Sequence, residues 1–247
     1  EGKNDLVVLL ENRPQSSRWY PGAGLYRKVR YITLPKVHVP VWGTYVTTPY
    51  VGEDYASVSV KTKVEGLGAD EAVTLKTRIL DNDGKVVAEC LDTRKPLKGE
   101  VEQILIVPSP KLWSPEDPVM YHAETEVYTG GQVYTERNNE NFRKNITVRV
   151  DGSDLQDRIS TRFGIRTIEV RPGVGFFLNG EQRKFRGVCL HHDLGPIGAA
   201  INSAAIRRQL TILKDMGCDA IRTSHNMPAE ELIELCDEMG FMVMAEN

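Results

Sequence analysis

Cysteine is scarce in this 247-residue chain, and Cys90, Cys189, Cys218 and Cys236 show no Cys-x-x-Cys spacing. That argues against a disulfide scaffold or a thiolate metal site and leaves the thiols as small core residues. Long apolar runs are missing too: no window approaches the ~18 consecutive apolar residues that a membrane helix needs. Glu1-Gly2-Lys3-Asn4-Asp5 lacks the charged-then-apolar pattern of a signal peptide. The first residues could equally be a cut end, so the compartment, periplasm or cytoplasm, stays open. Positive charge is not in excess: the net charge is -3, so no nucleic-acid partner is expected. No His-x-x-x-His or His-Glu-x-x-His spacing occurs, and no metal site is expected within the chain. What remains is the ordinary composition of a soluble globular protein, 40% hydrophobic and 26% charged, long enough for one or two cored domains.

The chain changes character twice. Residues 1–36 hold an apolar run, Leu6-Val7-Val8-Leu9-Leu10, a Pro/Gly-punctuated loop, and a second expected strand from Leu25 to Leu34. Two strands bury no core alone, so this stretch reads as the end of a larger sandwich. Residues 37–168 read as all-β. Tyr55 to Val64 alternates apolar with polar residues, and Ala72 to Leu80 repeats the pattern. Asp81-Asn82-Asp83-Gly84 is turn chemistry, returning the chain through Lys85 to Leu91. Further strands are expected at Val101–Val107, Met120–Thr129 and Gln132–Glu136, the last two joined by Gly130-Gly131. Short strands separated by turns predict a seven-stranded sandwich of immunoglobulin-like architecture, though no Cys…Trp…Cys spacing is present. Asn145-Ile146-Thr147 fits a glycosylation sequon, which bears only on a eukaryotic secreted protein.

Residues 169–247 alternate strand and helix. Phe185-Arg186-Gly187-Val188-Cys189-Leu190 ends in His191-His192-Asp193, and Ala220-Ile221-Arg222-Thr223 ends in Ser224-His225-Asn226. Between them, Asn202 or Ser203 can cap a helix carrying Ile206, Leu210 and Leu213 on one stripe, with Gly217 as its stop. A second helix has Pro228 in its first turn, Asn226 as the favoured N-cap, and Gly240 at its end. Phe241 to Ala245 is a third strand. Polar residues collected where successive strands end are how a (β/α)₈ barrel builds its active face, and three strands of eight make only its opening. Such an opening leaves an unpaired edge liable to associate. The sandwich can be read as a spacer that positions the barrel and as a homo-oligomer contact, with the subunit count left open.

These residues resemble glycoside hydrolase family two, the β-galactosidases, β-glucuronidases and β-mannosidases. Arg18-Trp19-Tyr20-Pro21-Gly22-Ala23-Gly24-Leu25-Tyr26-Arg27 is similar to the end of the family's jelly-roll sugar-binding domain. Pro110-Lys111-Leu112-Trp113-Ser114-Pro115-Glu116-Asp117-Pro118, with Met120-Tyr121, resembles late immunoglobulin-like sequence. Phe163-Gly164-Ile165-Arg166, Phe177-Leu178-Asn179-Gly180 and Arg186-Gly187-Val188 resemble the approach to the barrel. The resemblance implies a retaining, exo-acting hydrolase of terminal β-glycosides, with a β-glycoside oligosaccharide as partner and no membrane. His191-His192-Asp193-Leu194-Gly195 points to β-galactosidase-like members over glucuronidases or mannosidases. Ser17, where many galactosidases carry an acidic residue, and Ala245-Glu246, where Asp-Glu is common, depart from the pattern.

A sugar presents hydroxyls that donate and accept, and a rigid neutral imidazole can answer both. The resemblance carries a substrate-binding role to His191 and His225. It also implies that Arg222, a charge needing a partner inside a strand, orients the nucleophilic carboxylate. Asp193 is a possible substrate contact and otherwise shapes its loop with His192; Asn226 is read as a cap. Retaining hydrolysis needs two carboxylates, which the family places after its fourth and seventh strands, beyond Asn247. Glu246 is not assigned either role, and the piece alone is expected to be inactive. Magnesium or sodium is implied for galactosidases of the family, with ligands mostly outside this stretch. Among the tryptophans, Trp19 and Trp42 could stack on sugars, and Trp113 reads as a sandwich-core anchor. The competing reading is a non-catalytic carbohydrate-binding module, requiring exposed aromatic residues among Tyr45, Tyr50, Tyr55, Tyr121, Tyr128 and Tyr134.

Overall fold

The computed structural model describes residues 2–15, 24–68, 70–129, 132–137, 146–151, 154–225 and 227–246, with 132–137 and 146–151 as backbone. Ser17, Trp19, Gly130-Gly131, Asn145 and Asn226 lie outside the described residues.

Seven strands form two facing antiparallel sheets. β1 (Thr44–Val51), β2 (Tyr55–Lys63) and β5 (Glu100–Pro108) make one, in the order β1-β2-β5. β3 (Val73–Leu80), β4 (Val86–Arg94), β6 (Tyr121–Thr129) and β9 (Asp154–Phe163) make the other, in the order β4-β3-β6-β9. Successive side chains of a strand point to opposite faces, and β5 shows it: Val101, Gln103, Leu105 and Val107 are buried between more exposed neighbours. Val58, Val60, Ile79, Leu105, Val107 and Ala123 fill the core between the sheets. Gln103, buried with them, accepts from Thr77 Oγ1 at 2.6 Å and donates to the Leu75 carbonyl at 3.1 Å, so its amide is satisfied rather than stranded. Among the described residues, β7 (Gln132–Arg137) and β8 (Ile146–Asp151) pair only with each other. The strand following Gly130-Gly131 therefore leaves the sheet, and β6 takes β9 as its neighbour instead.

A three-stranded meander, β10 (Ile168–Arg171), β11 (Gly175–Leu178) and β12 (Glu181–Arg183), leads to a parallel sheet. That sheet comprises β13 (Gly187–Leu190), β14 (Ala220–Thr223) and β15 (Met242–Met244), with helices α1 (Ser203–Asp215) and α2 (Glu230–Met239) as crossovers. Val188, Leu190, Ile221 and Val243 pack on the helices with Ile206, Leu210, Leu213 and Leu235. The alternate face carries Cys189, Arg222 and Met244. Cys189 is therefore exposed beside Arg222, unlike the buried Cys236, and correcting its expected core role follows from strand periodicity. All four thiols are free.

Three expectations change. Neither 6–10 nor 25–34 forms a strand; Leu9 is 94% exposed, because an extended segment is a strand only when a neighbour takes up its backbone groups. Asn202 caps α1, its Oδ1 accepting from Ala205 N at 3.0 Å. At α2 the helix begins at Glu230, and Ala229 stands at the cap without a side-chain bond. Finally, Trp113 belongs to a junction rather than to the sandwich core. Its ring, 2% exposed, clusters with Met120, Leu178, Ala220 and Met242, and Nε1 donates to the Asp237 carbonyl at 2.9 Å.

Candidate functional site at the strand ends

The parallel register sets Cys189 opposite Arg222 and Arg222 opposite Met244, so the residues just past β13, β14 and β15 come out together. Those residues are His191, His225 and Glu246. The imidazoles of His191 and His225 meet edge to face, with ring centroids 5.6 Å apart. Ser224 N donates to the Leu190 carbonyl at 2.9 Å, extending the ladder to the base of His225, and the Ser224–His225 peptide bond is cis.

Glu246 ties the group. Its Oε1 accepts from Arg222 Nε at 2.6 Å and from Arg222 Nη2, its Oε2 lies 3.1 Å from His225 Nδ1, and its own N–H donates to Thr223 Oγ1 at 2.9 Å. Desolvation works to raise this carboxyl, but hydrogen bonds from Arg222 and His225, with their charges, outweigh it and hold it below the usual carboxylate range. An ionised carboxylate only accepts, so His225 places its proton on Nδ1. In the neutral ring, Nε2 then remains as an acceptor aimed away from Glu246. The position of Glu246 at the end of the third strand is legible in the sequence, but its link to Arg222 and His225 is not. Arg222 Nη1 also leans on Cys189 Sγ at 3.7 Å. The neighbouring Ser224 side chain, then the Arg222 guanidinium, draws that thiol below its ordinary range.

The neighbouring loop is shaped differently. Asp193 Oδ1 accepts from Gly195 N at 2.9 Å, a turn-forming bond. His192 lies against Tyr26, ring centroids 6.5 Å apart; burial first, and then the Arg27 charge, hold its imidazole below the usual range. Among the described residues no three His, Cys, Asp or Glu side chains converge as a metal centre requires. Magnesium or sodium takes several oxygen ligands, and the Glu246 carboxylate is already engaged by Arg222 and His225. These residues do not fit either cation. No helix among the described residues is long and apolar enough to cross a membrane.

Two models of one family match this arrangement: Glycosyl hydrolases family 2 over residues 37–142, and its TIM barrel domain over residues 168–247. The chain belongs to glycosyl hydrolase family 2. Its sandwich is the family's immunoglobulin-like domain, and its parallel sheet is the start of the family's barrel. A β-galactosidase of Bacteroides ovatus, BoGH2A, is 42% identical over 98% of this chain and 27% of its own length. A β-glucuronidase of Streptococcus agalactiae is 29% identical over 91% of this chain and 31% of its own length. The crystal structure of a family 2 member from Bacteroides cellulosilyticus superposes with a TM-score of 0.78 at 30% identity, covering 95% of this chain and 30% of that one. The chain thus spans less than a third of the length of these relatives.

Proposed function

We propose that this chain is part of a retaining, exo-acting β-galactosidase, and that His191 and His225 hold the terminal sugar. The observation that carries the reading is the convergence of the two imidazoles, 5.6 Å apart, at the ends of adjacent parallel strands. Glu246 supports it by fixing the His225 tautomer, so that Nε2 accepts from a sugar hydroxyl while the ring cannot turn. Arg222, steadied by Glu246, offers Nη1, which otherwise makes only the long contact to Cys189 Sγ at 3.7 Å, to a carboxylate contributed by a later strand. The acid/base and nucleophile belong to those later strands, and this stretch alone does not turn over substrate. Magnesium or sodium, if the whole enzyme uses either, takes its ligands outside the described strand ends.

Charge favours a galactoside over a glucuronide. A glucuronate carboxylate asks for a guanidinium or ammonium of its own. Among the described strand-end residues, the guanidinium is Arg222, and it is paired with Glu246. The 42% identity to a β-galactosidase supports the same choice. The test is steady-state hydrolysis of nitrophenyl β-galactoside, β-glucuronide and β-mannoside by the full-length enzyme and by this stretch. The galactoside is expected to be the best substrate, His225→Ala to raise its KM about tenfold or more, and the stretch alone to show no turnover. Turnover by the stretch would overturn the assignment of the carboxylates elsewhere. A glucuronide or mannoside preference would overturn the sugar.

A further inference from the structure

The segment 24–30 forms no strand, yet it is firmly attached, and where it attaches is informative. Arg27 Nη1 donates to the Pro228 carbonyl at 3.1 Å and Nη2 to the Met227 carbonyl at 2.5 Å. These carbonyls belong to the short link between His225 and α2. The helix does not steady that link by itself, because its cap residue Ala229 offers no side-chain bond. On its other side, the same basic residue faces the loop that carries the other histidine. The guanidinium lies 5.2 Å from the Tyr26 ring centroid, Tyr26 lies against His192, and the Arg27 charge bears on His192. One side chain from the N-terminal segment therefore stands between the two loops that follow β13 and β14.

Two further contacts hold the segment in place. Lys28 Nζ reaches Glu231 at 2.8 Å and Arg30 Nη1 reaches Glu230 at 2.7 Å, both carboxylates in the first turn of α2. These pairs grip side chains on the helix, whereas Arg27 grips the backbone of the link. The difference separates attachment from positioning.

We infer that Arg27 is a positioning residue for the sugar site, fixing His225 from behind through the carbonyls of Met227 and Pro228 while Glu246 fixes it in front. The inference rests on the proposed role of His225. A bound hydroxyl sees the imidazole only where the link lets it stand, and small misplacements of a binding group are costly. Arg27 touches neither substrate nor reacting atoms. Its loss acts on binding, not on the chemical step.

The experiment is steady-state kinetics on nitrophenyl β-galactoside in the full-length enzyme, comparing Arg27→Ala, Arg27→Lys, the pair Lys28→Ala with Arg30→Ala, His225→Ala, and Arg27→Ala combined with His225→Ala. Arg27→Ala is expected to raise KM about tenfold with kcat held within about threefold. On the His225→Ala background the same change should add less than about twofold, because the two residues act on one group. The Lys28 and Arg30 pair, which leaves the link carbonyls held, should lower Tm but leave KM unchanged. If Arg27→Ala does not fold, Arg27→Lys, whose single ammonium nitrogen replaces the two forked nitrogens that reach the two carbonyls, should raise KM by an intermediate factor with the same non-additivity. An unchanged KM in a folded Arg27 variant, or an effect that multiplies fully with that of His225→Ala, would overturn the inference alone. An unchanged KM in His225→Ala would remove the site reading and the inference with it.

Discussion

A carboxylate has two oxygens to assign, and in Glu246 each has a partner: Oε1 faces Arg222 and Oε2 faces His225. Twenty-four residues separate Arg222 from Glu246 in the chain, and only the parallel register brings them together. For that reason the pair could not be read from the sequence, whereas the histidines could, each standing where an apolar strand gives way to a helix. Glu116 offers a cleaner charge to test. Arg183 hydrogen-bonds it, Nη1 to Oε2 at 2.8 Å, and this bond, against a smaller opposing effect of desolvation, lowers its carboxyl to about 2. A folded-state pKa below the unfolded one means that stability is present above the unfolded value and fades as pH falls toward the folded one. Because the Glu116 side chain is 65% exposed, its contribution is about 1 kcal/mol or less. The Tm gap between the native chain and Glu116→Gln should be constant from pH 5 upward and close between about pH 4 and pH 2. A gap that widens on acidification would show that Arg183 does not hold Glu116 in the folded state.

At the scale of elements, period decided what was legible. The alternation in β2, β3 and β5 and the helical stripe of α1 were plain, and all four elements formed. The apolar run 6–10 was equally plain and stayed irregular, because periodicity states what a segment can bury but not whether a partner exists. Gly187 is a case where spacing between elements sets the residue. A Cβ built there would lie 2.3 Å from the Ala220 carbonyl oxygen on the neighbouring strand, so β13 and β14 pair closely only with glycine at the base of β13. The obstruction is backbone, which has no rotamer to yield. Gly187→Ala should cost about 1–3 kcal/mol by overpacking, read as a lower denaturation midpoint at unchanged m. It should also part Ser224 from the Leu190 carbonyl, the contact at 2.9 Å on which His225 is seated. Unchanged stability would mean the strands can separate there freely.

Across the whole molecule, the sandwich core and the cluster beneath α1 and α2 are distinct, and something must couple them. The coupling concentrates on the middle and the C-terminal end of α2. Trp113 Nε1 donates to the Asp237 carbonyl, Arg162 Nη2 donates to the Glu234 carbonyl at 2.9 Å, and Lys214 Nζ reaches both the Pro115 carbonyl at 2.7 Å and the Gly240 carbonyl at 2.9 Å. Lys214 stands at the C-terminus of α2, where a cation answers the helix dipole, whereas Arg162 adds a bond to a carbonyl in the middle of the helix. The segment around Arg27 holds the opposite end, so the helix behind His225 is gripped at both termini by parts of the chain outside the barrel. Among these contacts, Trp113 alone adds a buried ring, shared between sandwich loop, meander and barrel strands. Trp113→Phe should keep the packing and lose one hydrogen bond, about 1 kcal/mol. Trp113→Ala should cost about 3–5 kcal/mol and leave a void at the junction. In calorimetry the alanine variant should split one transition into two, the barrel strands melting first and the sandwich keeping its native Tm, since its core residues are untouched. A single peak at the native temperature would show that the polar contacts suffice, and that the ring fills space without joining the two cores.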